Sequence, residues 1–372
     1  MQKIEKLSAS KATHSDHSFV TIQIKIDNGL QVETILPLTD NSHERDISKA
    51  IEIINDIIAP ILEGLNPLRQ RELDKMLTEL SLVHNQQLLH INISLAISFC
   101  ILKASAALHG ELLRPYIERI YNFQESKNKS PTCVYTLIQN LGKQGEFKEF
   151  TIIPSRGTAI NDVFFSFRLL KDSIDSSRII MNTLQLEILQ EKVKASGKKM
   201  HDDIFIGVKP ELRQDREKGF ICNDMLEDAT ELQLIDYYKE IQNLYSPLIT
   251  ENAFLSDDLR LYSALHKEIG RETIICVSTD IITNAIQCKK FAEIMPGSMI
   301  SLTHTNVYSL SQYIDIIQTA FRSECKVMID TTGYRDIGVL IAIAGAVNAD
   351  FIKIDSCSSQ IEKEIEYVGQ AN

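Results

Sequence analysis

LYSPLITENAFLSDDLR, residues Leu244–Arg260, carries three signals in one short passage. Its apolar run from Pro247 to Thr250 reads as a buried strand and ends in a single acid, Glu251. Asp257 and Asp258 then stand just ahead of the helical pattern LRLYSALHKEIG, where short acidic side chains cap helix N-termini. A carboxylate at the carboxyl end of a buried strand is where barrel folds place catalytic and ligand-binding groups. The passage therefore predicts a strand, a functional loop and a helix.

The same rhythm extends in both directions. Upstream lie CVYTLIQN (from Cys133), FKEFTIIP (from Phe147), the helical INDVFFSFRLLKDSI (from Ile160) and a long helix through LQLEILQEKVKAS (from Leu184). DDIFIGV (from Asp202) and helix ELQLIDYYKEIQNLY (from Glu231) follow. Downstream, TIICVSTD, SMISLTH, KVMID and DFIKID alternate with the helical NAIQCKKFAEIM, LSQYIDIIQTAFR and IGVLIAIAGAV. Eight strand candidates alternating with helices fit a closed β/α barrel better than an open doubly wound sheet. No GxGxxG follows a strand, which disfavours a dinucleotide fold.

Residues 19–121 read differently. FVTIQIKID (from Phe19) alternates apolar and polar, meets Asn28–Gly29 and continues as LQVETILPL, predicting a hairpin with a primed turn. Helical patterns follow in ISKAIEIINDIIAPILEGL, which Gly64 is placed to stop, and in LRQRELDKMLTELS. HINISLAISFCILKASAALHG is apolar all round and is expected to be buried. This is a small α+β domain, preceded by a polar tail over 1–18 expected to be disordered. The polar NFQESKNKSP (from Asn122) links it to a barrel over 131–372.

Bulk properties narrow the class. The net charge of −11 argues against a general nucleic-acid binder. Seven cysteines without a CxxC pair suggest neither a disulfide framework nor a zinc site, and reduced thiols in a cytoplasmic protein are expected. No leader and no membrane span is expected.

Seven stretches, collinear over nearly the whole chain, resemble the enolase family. KEFTIIP (Lys148–Pro154) resembles QEFMIxP, SPLITENAFLSDDL resembles PIxSIEDPFxxDDW, and VSTDIITN (Val277–Asn284) resembles GDDLxVTN. TNVYSLSQ (from Thr305) resembles NQIGTLTE, DTTGYRD (from Asp330) sits where the family has SHRSGETED, and FIKID falls on the xIKTG strand. In the small domain, NDIIAPILEGLNPLRQRELDKML resembles NxxIAPxLxGxxxxxQxxID. The resemblance implies an α/β fold, with a small N-terminal α+β domain and a modified (β/α)8 barrel opening β-β-α-α. Against the family's usual length, the barrel is expected to be shortened at its C-terminus.

It also implies the dehydration of 2-phosphoglycerate, with Mg²⁺ holding the dianion formed by a lysine base. Each strand end can be checked against that chemistry. Glu251 matches one metal carboxylate, but the other two fall on Ser278 and Lys209. The base lysine falls on Thr303, and the family's His-Arg pair falls on Asp330 and Thr331. The segment carrying the general-acid glutamate has no counterpart. Glu149 and Lys353 are the retained catalytic positions, and Glu251 is the retained metal position.

The expectation is therefore a non-catalytic relative with no cofactor. It would be a homodimer, a heterodimer with an enolase-like chain, or part of a larger assembly, with neither nucleic acid nor membrane as partner. The alternative is a divergent Mg²⁺-dependent lyase or ligand-binding barrel. That reading uses Lys353 with the re-purposed acids Asp280, Asp330 and Asp355, which otherwise are solvated strand-end residues or caps. His201 and His304 have no second ligand at metal spacing, and Cys276 and Cys357 have no matched base.

Overall fold

The computed structural model describes residues 2–14, 17–36, 44–83, 93–123, 131–139, 147–155, 183–215, 219–221, 230–254 and 258–355. The first sheet has the order β1 (Ile4–His14), β2 (His17–Ile26), β3 (Gln31–Ile35), all antiparallel. Every second residue of β2, Val20, Ile22, Ile24 and Ile26, is fully buried, as a half-covered strand requires.

Residues 4–14 correct the expectation of a disordered tail. Ile4, Leu7 and Ala9 are buried beside β2. A register shift between Ile4 and Lys6 explains why the sequence hid the strand: the bulge puts Ile4 and Leu7 on one face although they are three residues apart. The Asn28–Gly29 turn is a hairpin but not a primed one. Only Gly29 has positive φ, Ile26 N–H donates to Leu30 C=O, and Gly29 N–H to Ile26 C=O, so the loop has three residues with glycine in the left-handed place.

Helix α1 (Glu44–Glu52) runs through a π-helical stretch, Ile53–Ile58, into α2 (Ala59–Leu62), and Gly64 follows at φ +82°. Next come α3 (Gln70–Val83), α4 (Ile93–His109) and α5 (Leu113–Tyr121). Helix α4 is buried on both sides. Ala96, Ile97, Cys100 and Ile101 join the small-domain core, while Leu95, Phe99 and Leu102 join the core around the barrel. A helix apolar all round is the element that can serve two cores at once.

The barrel strands are β4 (Thr132–Gln139), β5 (Phe147–Pro154), β6 (Ile204–Pro210), β9 (Ile249–Glu251), β10 (Ile274–Ser278), β11 (Met299–Leu302), β12 (Lys326–Asp330) and β13 (Phe351–Ile354). They close in that order, with β13 returning to β4. Strand β5 is antiparallel to both neighbours and the remaining pairs are parallel. Between β6 and β9 a small hairpin, β7 (Arg213–Asp215) and β8 (Gly219–Ile221), was not foreseen from the sequence. Outer helices are α6 (Thr183–Ala195), α7 (Glu231–Tyr245), α8 (Leu259–Ile269), α9 (Ala285–Ile294), α10 (Leu310–Arg322) and α11 (Ile337–Val347). The helix expected from Ile160 and the acid Asp257 lie outside the described residues. Asp258 caps α8 as anticipated, accepting from Arg260 N–H at 2.9 Å. No single described helix is long and apolar enough to cross a membrane.

The lumen is layered. Val134, Ile153, Ile249, Cys276, Met299, Met328 and Phe351, one from each barrel strand except β6, form an apolar plug, with the partly buried Phe205 of β6 packed against it. Side chains alternate along a strand, so the next inward positions toward the barrel mouth are Thr136, Thr151, Gly207, Glu251, Ser278, Ser301, Asp330 and Lys353. A polar ring thus rests on an apolar floor.

If β1 is part of the core, Leu7→Ala should destabilise the protein by about 2–5 kcal/mol in urea unfolding. An unchanged midpoint would return residues 4–14 to the status of a tail.

Candidate active site

The ring positions are set by register. Pairing of Gly207 with Ile249 and of Val208 with Thr250 brings Lys209, at the next step, beside Glu251. Pairing of Asp330 with Lys353 does the same on the far side of the lumen. Lys209 Nζ lies 2.7 Å from Glu251 Oε1, and Lys353 Nζ lies 2.8 Å from Glu251 Oε2. Both oxygens of Glu251 therefore accept from ammonium groups.

Lys353 is the hub. It is 1% exposed and also reaches Glu149 Oε1 at 2.7 Å and Asp330 Oδ2 at 3.6 Å. Thr136 Oγ1 donates to the same Glu149 oxygen at 2.7 Å. Thr332 N–H donates to Asp330 Oδ1 at 2.8 Å, which fixes that carboxylate at its strand end.

The electrostatics follow from burial. For Glu251, burial would raise the carboxyl pKa, but Lys209 and Lys353, by charge and by hydrogen bonding, overcome it and hold it at about 2. For Glu149, burial prevails over the pull of Lys353 and moves the carboxyl upward. Burial works against charge on Lys209 and Lys353 too, yet Glu251 raises the first, and Glu149, Glu251 and Asp330 raise the second. These directions are compatible. Lys353 faces Glu251 and Asp330 as well as Glu149, so its charge does not rest on one partner.

A second array lines the ends of β10 and β11. Ser278 Oγ donates to Asp280 Oδ2 at 3.0 Å, so those two side chains share a face. Asn252, at φ +51°, brackets Ser278: its amide donates to Ser278 Oγ and its carbonyl oxygen accepts from Ser278 N–H, each at 2.8 Å. Thr279 and Thr303 hydroxyls meet at 2.8 Å, Thr303 and Thr305 at 2.6 Å, and Thr305 donates to Asp280. Asp355 is not in the cluster; its Oδ2 accepts from Gly333 N–H at 3.1 Å in the turn after β12.

His201 is an exposed turn residue at φ +65°. Burial lowers the pKa of His304, whose ring meets that of Tyr334 at 5.9 Å. Cys276 belongs to the apolar plug, where burial raises its thiol pKa, and Cys357 lies outside the described residues. Sequence reasoning passed over Thr136, Asn252 and Thr305. Parallel register could have shown that Lys209 meets Glu251, but nothing local marks the other three.

A family model, "Enolase, N-terminal domain", matches residues 30–117. The enolase of Thermococcus kodakarensis is 26% identical over 338 residues, 84% of this chain and 77% of that protein. The enolase of Ehrlichia chaffeensis is 24% identical over 337 residues, covering 84% and 78%, and that of Pyrococcus furiosus is 26% identical over 340, covering 84% and 77%. The chain belongs to the enolase family.

Mg²⁺ demands near-octahedral oxygen donors and is bound through carboxylates. At the matched enolase positions this chain offers a glutamate engaged by two ammonium groups, a serine hydroxyl and a lysine. Among the described residues no three His, Cys, Asp or Glu side chains converge as a metal site. The donor set does not fit the ion.

Removing the hub would leave Glu149, Glu251 and Asp330 buried without the cation they share. Lys353→Met should cost about 3–5 kcal/mol in denaturant unfolding, despite its similar volume. The folded Glu251 carboxyl gives up its proton more readily than the unfolded one. Its stabilisation is thus fully present above the unfolded value of 4.5 and is lost as pH falls toward 2. Glu251→Gln should flatten stability across that window, and an unchanged pH slope would contradict the ion pairing.

Proposed function

We propose that this enolase-family protein does not dehydrate 2-phosphoglycerate and instead works as a non-catalytic, protein-binding subunit. The observation that carries the reading is the Lys209 ammonium seated on Glu251 at 2.7 Å. An internal cation stands where the family's chemistry calls for a divalent ion, and it repels any second cation approaching the same carboxylate. The hydroxyl of Thr303 supports the reading from the other side. It sits where the resemblance places the base lysine, and a hydroxyl bonded to Thr279 and Thr305 does not take up a proton near neutral pH.

On this reading Glu149, Lys353, Glu251 and Asp330 are a structural cluster inherited from a catalytic one. Asp280 and Asp355 organise the loops beside it. The proposed partner is a second copy of this chain or an active enolase-like chain in the cytoplasm. No cofactor is needed.

Assayed with 2-phosphoglycerate and Mg²⁺ at high protein concentration, the chain should turn over at least about a thousandfold more slowly than an active enolase, given the loss of base and charge stabilisation together. Millimolar Mg²⁺ should leave its melting temperature unchanged, because only an ion bound to the folded state would raise it. Clear turnover abolished by Glu251→Gln would defeat the proposal.

A further inference from the structure

Helix α10 begins directly after the loop that carries Thr303 and Thr305. The first N–H groups of a helix have no partner within it and must find one elsewhere. Here Gln312 N–H donates to the hydroxyl of the capping Ser309 at 3.3 Å. The other two come from across the domain boundary. Leu310 N–H donates to Ser98 Oγ of α4 at 2.9 Å, and Ser311 N–H donates to Asp74 Oδ2 of α3 at 2.9 Å.

Asp74 is 1% exposed, and its contacts are all donors: Ser311 Oγ at 2.6 Å on Oδ2, with Ser98 Oγ at 2.6 Å and Gln70 Nε2 at 2.9 Å on Oδ1. That is how an ionised carboxylate is satisfied, and an anion is favoured at a helix N-terminus. Burial acts the other way and raises the pKa of Asp74.

We propose that the small domain acts as a clamp on the site, in which Asp74 and Ser98 cap α10 in trans and so hold the Thr303–Thr305 loop in place. The chain between is short and tied at both ends. Val307 is fully buried, Gln312 Nε2 donates to Thr283 C=O at 2.7 Å, and Thr305 bonds to Asp280. If the small domain lifted away, two buried N–H groups would lose their partners, and the loop would loosen with them. The clamp therefore couples domain docking to the geometry of the β10 and β11 strand ends. It does so whether or not those ends are catalytic.

Hydrogen exchange followed by mass spectrometry tests the coupling on the full chain. Asp74→Ala should accelerate exchange in residues 303–311 by about tenfold to a hundredfold, while peptides from β5, β6 and β13 change far less. Ser98→Ala, a milder change, should act on the same peptides to a smaller extent and serves if Asp74→Ala does not fold. Ser105→Ala is the control: its hydroxyl donates to Pro67 C=O within the small domain, away from α10. Unchanged exchange at 303–311 in the Asp74 and Ser98 variants would overturn the clamp, as would equal loosening by Ser105→Ala or a uniform rise over the whole chain.

Discussion

A carboxylate buried in the lumen of a barrel has to be neutralised by something. In this chain Glu251 is neutralised by two lysines, one on each oxygen. Left alone, a buried carboxylate would cost several kcal/mol. Lys209 resolves the problem from within the chain. Its ammonium takes one carboxylate oxygen, and that of Lys353 takes the other.

Most of the apolar packing lies away from that site. The fold's stability is anchored below it, in the apolar plug from Val134 to Phe351, and beside it, in α4, which belongs to two cores. The polar ring sits above the plug and is held by ion pairs and hydroxyl contacts. Its residues pack on neither the outer helices nor the floor of the plug through large apolar side chains. Side chains at the site can vary while the barrel and the small domain persist.

Much of this was legible in the sequence, for a physical reason. Strands buried on both faces, such as IICVS and KVMID, write themselves as continuous apolar runs, and α4 announces its burial by having no polar face. That Lys209, Ser278 and Thr303 stand at or just past strand ends could also be read from the motifs. Two kinds of feature escaped. Strand β1 was hidden because its bulge breaks the period of two. The Lys209–Glu251 and Lys353–Asp330 pairs, and the reach of Asp74 to Ser311, join residues that meet only through register or domain packing. No local pattern encodes such meetings.

The most direct measurement is a crystal structure of the protein grown in Mg²⁺. The account predicts Lys209 Nζ and Lys353 Nζ each within hydrogen-bond reach of one Glu251 oxygen, and no ion between them. An ordered Mg²⁺ bound to Glu251 with oxygens completing its shell, and Lys209 swung aside, would contradict it.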